Sequence, residues 1–312
     1  MIVLTGSRGF IGGHVEKALK DKGHELLNFD RKPSPDCFPC ESLLGWLDLG
    51  EQLPDCSRRP SDVEAIIHLG AITDTRFLDW KELYKYNTDF SVGLWRWCSV
   101  NKRPLIYASS AATYGGGEHG FSDSHSSTEF LRPLSPYAKS KHLFDLYALE
   151  KEGFVYPPRW YGLKLFNVYG PGEQDKGAMA SMAFQGMRQI SSDGEIRLFK
   201  GGDDVPDGGH ERDFIHVDDV VEVILFFLGN LNGIESGLYN VGTGTSRSFN
   251  DLALALFKAL GREPRIRYVD MPQELAAQYQ SRTRADTRKL RGAGYNNEFI
   301  ALEDGIRRLF RS

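Results

Sequence analysis

The chain opens on MIVLTGSRGFIGG, residues 1–13, and this stretch decides the fold. Ile2, Val3 and Leu4 read as a short, wholly apolar strand. Gly6, Gly9 and Gly12 follow at G-x-x-G-x-x-G spacing, and a helix opens behind them and runs to about residue 22. Strand, glycine turn and helix in that order are the context in which such a triplet binds a dinucleotide. The glycines let the backbone turn tightly against a pyrophosphate. The helix N-terminus offers that anion free N–H groups and a positive dipole end. A second strand, HELLNFD, ends at Asp30, 18 residues beyond Gly12, where a carboxylate can bind a ribose hydroxyl. Arg31 and Lys32 come next. The acid alone favours NAD, whereas the cations favour the extra phosphate of NADP. Two cations after one acid lean the reading to NADP, with NAD as the alternative.

Further along, VEAIIHLGA and PLIYASS read as the third and fourth strands, and residues 78–100 have helical spacing. SPYAKSKHLFDLYALEKEG reads as a helix with Ser135 as N-cap and Pro136 in its first turn. YGLKLFNV is the fifth strand. Strands that are apolar throughout, alternating with helices, specify a parallel sheet covered on both faces. The expected class is therefore α/β, a Rossmann-type doubly wound sheet. After residue 168 the loops lengthen, and residues 213–230 return to one strand-plus-helix unit. Residues 1–168 and 212–242 are assigned to the cofactor domain. Residues 169–211 and 243–312 are assigned to a smaller α/β substrate domain built from interleaved segments.

Composition narrows the function. The 312 residues are 41% hydrophobic and 26% charged, with a formal net charge of −4. That balance argues against nucleic acid or an anionic membrane surface as a partner. No run is long and apolar enough to span a bilayer, and the first residues carry no signal-peptide pattern, so a cytoplasmic protein is expected. Cys37 and Cys40 form C-x-x-C, but three prolines make that segment a loop, and Cys56 and Cys98 stand alone. The bland reading, two thiols in a loop and no metal, is preferred. His68 and His216 lie at strand ends without ligand partners and are read as structural.

Tyr137 and Lys141 are spaced Y-x-x-x-K and share one helix face. A nearby ammonium favours the phenolate of a tyrosine. Ser109 and Ser110 lie at the carboxyl end of the fourth strand, the edge where such sheets bind ligands. A serine there can hold a substrate oxygen as it changes between alcohol and ketone. Serine, tyrosine and lysine, behind a glycine-rich loop, form a catalytic set. Asn167 ends the fifth strand and is read as a substrate contact or a turn cap. Arg212 suits a diphosphate, since a guanidinium forks onto phosphate oxygens, or a pair with Asp213 or Asp218. Tyr279 is open between a substrate contact and core packing.

TGxxGxxG, the strand-end serine and YxxxK together resemble the extended short-chain dehydrogenase/reductases, over essentially the whole chain. The resemblance implies a Rossmann domain, nucleotide-sugar chemistry, one bound NAD(P) per subunit and a homo-oligomer. YASSAATYGG, NVYGPGEQDKGAMAS, ERDFIHVDDV and YQSRTRADTRKLRGAGY are similar to a narrower group, the ADP-L-glycero-D-manno-heptose 6-epimerases, which supply a lipopolysaccharide precursor. That likeness implies catalytic roles for Ser110, Tyr137 and Lys141, and makes Lys176 a second acid/base. It implies cofactor contacts from Phe10, Ile11, Asp30, Arg31, Leu69, Gly70, Ala71 and Asn87. It implies substrate contacts from Asn167, Ala178, Gln185, Phe199, Arg212 and Tyr279. Ala178 and Gln185 stand where the group has serine and histidine.

A second base has a physical reason. Epimerising a carbinol through a ketone removes a hydride and returns it to the opposite face. At an exocyclic carbon a small rotation exchanges the faces, and the oxygen lands at a new place where a second proton donor is useful. Other sugar-nucleotide enzymes of this fold are the alternative: a 4-epimerase, a dehydratase or a reductase. SSAATYGG lacks the acid pair with which a dehydratase eliminates water. The intact Ser110–Tyr137–Lys141 set weighs against a non-enzymatic cofactor sensor.

Overall fold

The computed structural model describes residues 1–54, 56–150, 155–202, 204–276 and 279–310. Twelve strands are seen among these residues. In chain order they are β1 (Ile2–Thr5), β2 (Leu26–Asp30), β3 (Phe38–Pro39), β4 (Ala65–His68), β5 (Leu105–Ser110) and β6 (Trp160–Leu165). Then come β7 (Asn167–Tyr169), β8 (Ile196–Phe199), β9 (Glu211–His216), β10 (Gly237–Val241), β11 (Ser246–Ser248) and β12 (Ile266–Val269). Seven form one sheet in the order β10-β6-β5-β4-β1-β2-β3. Every pair in it is parallel. The order reverses between β1 and β4, the switch point at which open parallel sheets bind ligands.

Both faces of this sheet are covered, and the strands show it residue by residue. Val3, Ile66, Leu105 and Tyr107 pack into one core with Trp46, Trp95 and Phe144. Ile2, Leu4, Ile67 and Ile106 point the other way, into a core with Val15, Val220 and Phe227. Successive side chains leave a strand on opposite faces, so a strand buried on both must be apolar at every position.

Beyond β6 the structure departs from the continuous fifth strand read in YGLKLFNV. The chain leaves the main sheet at Phe166, whose N–H is donated to the Val241 carbonyl. β7 then pairs with β9, which pairs with β11, in a separate three-stranded sheet. β8 and β12 form a third, two-stranded sheet. Leu252, Leu256, Ile190 and Ile306 fill the core of this second lobe. The described residues after Thr243 serve both lobes, because Leu290 and Tyr295 pack under the main sheet.

Ser135 accepts the Ala138 N–H, and the helix it caps runs over Pro136–Leu149. The remainder of that sequence pattern, residues 151–153, lies outside the described residues. The helical run over Trp80–Val100 contains a π turn, Tyr84–Asp89, that its spacing does not announce. His68 bridges Thr5 and Ser91 in a buried hydrogen-bonded chain, and burial lowers its pKa to about 3. β3 lies between Cys37 and Cys40, and both thiols are buried and free. No helix among the described residues is long and apolar enough to cross a membrane.

Candidate active site

The C-terminal edge of the main sheet borders a cavity of about 1190 Å³. Its floor is the glycine turn. Gly6 has φ 73°, and a Cβ there would stand 2.6 Å from the Gly70 nitrogen. At Gly12 a Cβ would stand 1.9 Å from the Gly6 carbonyl oxygen. Only glycine fits either place. The helix Phe10–Asp21 starts at Gly9 with no side-chain cap and no acid in its first turn. Gly9, Phe10, Ile11 and Gly12 all line the cavity. An uncapped, acid-free helix start fits the pyrophosphate of a dinucleotide.

Asp30 accepts the N–H groups of Arg8 and Lys32, at 2.9 and 3.0 Å. The Arg31 guanidinium lies 4.9 Å from the Tyr86 ring centroid. Leu69, Gly70 and Ala71 border the cavity above this floor. Asn87, expected at the cofactor, lies elsewhere. It is wholly buried and absent from the cavity wall. Its side chain donates to the Ile72 carbonyl and to Ser140, and accepts the Ile72 N–H. These bonds shape the loop after β4.

Ser110 ends β5, and its Oγ accepts the Ala112 N–H at 3.1 Å. Tyr137 is buried beside it. Burial raises the phenol pKa, a hydrogen bond with Ser110 opposes that, and Asp145 adds to it. Lys141 donates to the Ala108 carbonyl at 2.9 Å. Burial lowers its pKa to about 8, against the opposing charge of Asp145. Ser110, Tyr137 and Lys141 thus meet at one wall.

Behind them lies a charged pair that the motifs do not name. Asp145 and Lys164 are both fully buried and 2.8 Å apart. Asp145 also accepts the Ser109 and Tyr107 hydroxyls, and Lys164 donates to Thr113. Two signals were available in the sequence. Asp145 continues the Tyr137–Lys141 face by one more turn, and Lys164 is a charge inside an apolar strand.

Lys176 also lines the cavity, from the turn Gln174–Met179 beyond β7. Its ammonium meets Glu173 at 3.0 Å and lies 4.8 Å from the Phe10 ring centroid. Asn167 lines the cavity and accepts from Thr283 at 3.4 Å. Arg212 is 7% exposed and its guanidinium lies against two rings, with Tyr279 at 4.6 Å and Phe249 at 5.5 Å. Its Nη1 donates to the Glu211 carbonyl, and neither Asp213 nor Asp218 pairs with it. A buried guanidinium on the cavity wall, held by rings and one carbonyl, suits an anionic ligand. Phe199 stands one ring back, edge-on to Tyr279 at 6.0 Å. Ala178 and Gln185 are not on the wall; the Gln185 amide donates to the Ala178 and Ala180 carbonyls.

A family model described as the NAD dependent epimerase/dehydratase family matches residues 2–242. The ADP-L-glycero-D-manno-heptose-6-epimerase of Fusobacterium nucleatum is 37% identical, over 98% of this chain and 96% of its own. That of Nitratidesulfovibrio vulgaris is 39% identical, over 98% and 95%. Among solved structures, the Helicobacter pylori ADP-L-glycero-D-manno-heptose-6-epimerase superposes with TM-score 0.78 at 24% identity, over 99% of this chain and 94% of its own. The Thermus thermophilus UDP-glucose 4-epimerase, in complex with NAD, gives 0.75 at 24% identity, over 99% and 98%.

Proposed function

This chain belongs to the NAD dependent epimerase/dehydratase family, and we propose on that premise that it interconverts ADP-D-glycero-D-manno-heptose and ADP-L-glycero-D-manno-heptose, a step toward lipopolysaccharide. The observation that carries the reading is that one cavity is lined by two separate proton donors, Tyr137 and Lys176. Relatives at 37–39% identity along nearly the whole chain support the sugar.

The glycine turn would hold the pyrophosphate of the cofactor, with Asp30 at its ribose. A bound nicotinamide supplies a reversible acceptor for the hydride at the six-position carbon. Tyr137 takes the hydroxyl proton on one face, Ser110 holds the oxygen, and Lys141 supports the phenolate. The ketone turns about its exocyclic bond. Lys176 then returns a proton on the other face, and the net result is inversion. Arg212 meets the substrate diphosphate beside its two rings, with Asn167 and Tyr279 beside the sugar. Residues 1–168 and 212–242 make the cofactor half, while 169–211 and much of 243–312 make the substrate half.

The cofactor is NADP on this reading, because Arg31 and Lys32 bring two cations next to Asp30. Tighter binding of NAD than NADP in titration calorimetry would reverse that choice. The subunit assembles as a homo-oligomer and works in the cytoplasm; its four free cysteines suit a reducing compartment. The deciding experiment incubates the protein and cofactor with ADP-D-glycero-D-manno-heptose and separates the epimers. The expected product has unchanged mass and inverted configuration. Loss of water, or recovery of the starting epimer alone, would reject the reading.

A further inference from the structure

Glu173 is a carboxylate with no solvent exposure, three residues before Lys176. Its Oε1 accepts the Ser181 hydroxyl at 2.6 Å and the Gly170 N–H at 3.3 Å. Its Oε2 accepts the Ser181 N–H at 2.6 Å and the Lys176 ammonium at 3.0 Å. The loop from Gly170 to Ser181 therefore closes around this one carboxylate. Of those four donors only Lys176 carries charge. Burying a carboxylate is costly unless a charge and further donors meet it, and these contacts supply both.

Lys176 is held on its other side too. Its ammonium lies against the ring of Phe10, the first residue of the dinucleotide helix. His14 of the same helix approaches the Pro171 carbonyl at 2.9 Å. The second proton donor is thus stationed between the cofactor helix and a buried anion. The two partners differ in access to water. The Lys176 side chain is 29% exposed, and that of Glu173 is 0%. Lysine can exchange protons with solvent while the carboxylate stays fixed.

We propose that Glu173 is the positioning residue of the second proton donor, holding the Lys176 ammonium at the cavity wall beside Phe10. The proposal rests on the two-base reading above. In the closing half of that reaction a hydride returns to carbon and the carbonyl oxygen takes one proton from Lys176 Nζ. The lysine is left as an amine and is reprotonated from water. Glu173 acts only by holding the ammonium in place.

The test is a double-mutant cycle on the full chain with cofactor, using Glu173→Gln, Lys176→Met and the two together. Three quantities are read: kcat of interconversion, KM, and reduced-nicotinamide absorbance after each epimer is added alone. Glu173→Gln is expected to lower kcat about 10- to 100-fold, part of the ~10²–10⁴ that a positioned general acid contributes. KM should stay within about twofold, since the carboxylate does not line the cavity. Oxidation of the epimer served by Tyr137 should persist, so reduced cofactor accumulates. In the Lys176→Met background Glu173→Gln should cost nothing further, because its effect passes through the lysine.

An additive loss in that background, or a wild-type kcat in Glu173→Gln, overturns the proposal. Wild-type interconversion by Lys176→Met would instead overturn the two-base reading, and this proposal with it. Should Glu173→Gln fail to fold, Ser181→Ala removes one donor from the carboxylate and leaves its charge. A smaller kcat loss that disappears without Lys176 is then expected. An equal loss with and without Lys176 overturns the assignment.

Discussion

Burial brings Lys141 to a pKa of about 8, against 10.5 for a lysine in water. In the proposed mechanism its charged form supports a phenolate at Tyr137, and that form is lost as pH rises through 8. The alkaline limb of kcat/KM should therefore have its midpoint near pH 8 rather than near 10.5. A limb at 10 or above would show that Lys141 is solvated or uninvolved. The stability effect runs the other way. A lowered folded pKa penalises the fold below 8, and the penalty fades as pH rises from 8 to 10.5. Two substitutions separate the proton donors. Tyr137→Phe and Lys176→Met should each lower interconversion by about 10²- to 10⁴-fold, to a slow but measurable rate, while each retains cofactor reduction by one epimer, a different one for each. Both variants reducing cofactor with the same epimer would refute the assignment of faces. Gly12→Ala should lose cofactor binding in calorimetry, because its Cβ would overlap the Gly6 carbonyl.

At the scale of elements, the Pro136–Leu149 helix carries Tyr137 and Lys141 to the cavity and Asp145 to the interior. Asp145 locks it to β6 through Lys164. Lys164→Met leaves that carboxylate buried and unpaired, a loss of about 3–5 kcal/mol in chemical denaturation. Replacing both, with Asp145→Leu added, should recover much of it; no recovery would deny that the pair acts as a unit. A second contact ties the helix Val217–Gly229 to the C-terminal segment. Asp219 accepts the Ile300 N–H at 3.0 Å, and burial raises its pKa to about 6 from 3.8. The raised pKa means that stability from this group is complete below 3.8 and lost as pH rises through 6. Asp219→Asn keeps an acceptor without that charge. Its Tm should match the parent near pH 4 and exceed it above 6; a constant difference across that range would remove the electrostatic cause.

At the scale of the molecule, the chain's last segment belongs to both lobes. Leu290 and Tyr295 pack under the main sheet, whereas Leu302, Ile306 and Leu309 pack in the second lobe. Each buried side chain of this kind contributes about 1.5–3 kcal/mol, and a domain's whole margin is only about 5–15 kcal/mol. A chain ending at Asp286 should therefore fail to give a cooperative unfolding transition by circular dichroism. A sharp transition would mean that the cofactor lobe folds alone. The assembly state belongs to this scale as well: sedimentation should show an oligomer, and a monomer at working concentration would refute it.

The nearest-neighbour features of the site were legible because they are local. A strand, three glycines and a helix start specify a phosphate cradle within a dozen residues, and a helix places Tyr137 and Lys141 on one face by its period alone. Apolar strands alternating with helices specified the covered parallel sheet for the same reason. The rest depended on contacts between distant segments. Nothing local distinguishes Asn87 facing a cavity from Asn87 holding Ile72, and its partners Ile72 and Ser140 lie 15 and 53 residues away. The exit of the chain from the main sheet at Phe166 is set by pairing with β9 and β10, which strand propensity does not encode. Sequence by itself determined the fold class and the glycine turn, and it singled out Tyr137 and Lys176 as the two candidate proton donors. Tertiary structure alone decided that Lys176 meets a buried Glu173 and that Lys164 meets a buried Asp145, because burial and pairing of charge are properties of the closed chain and not of any one stretch.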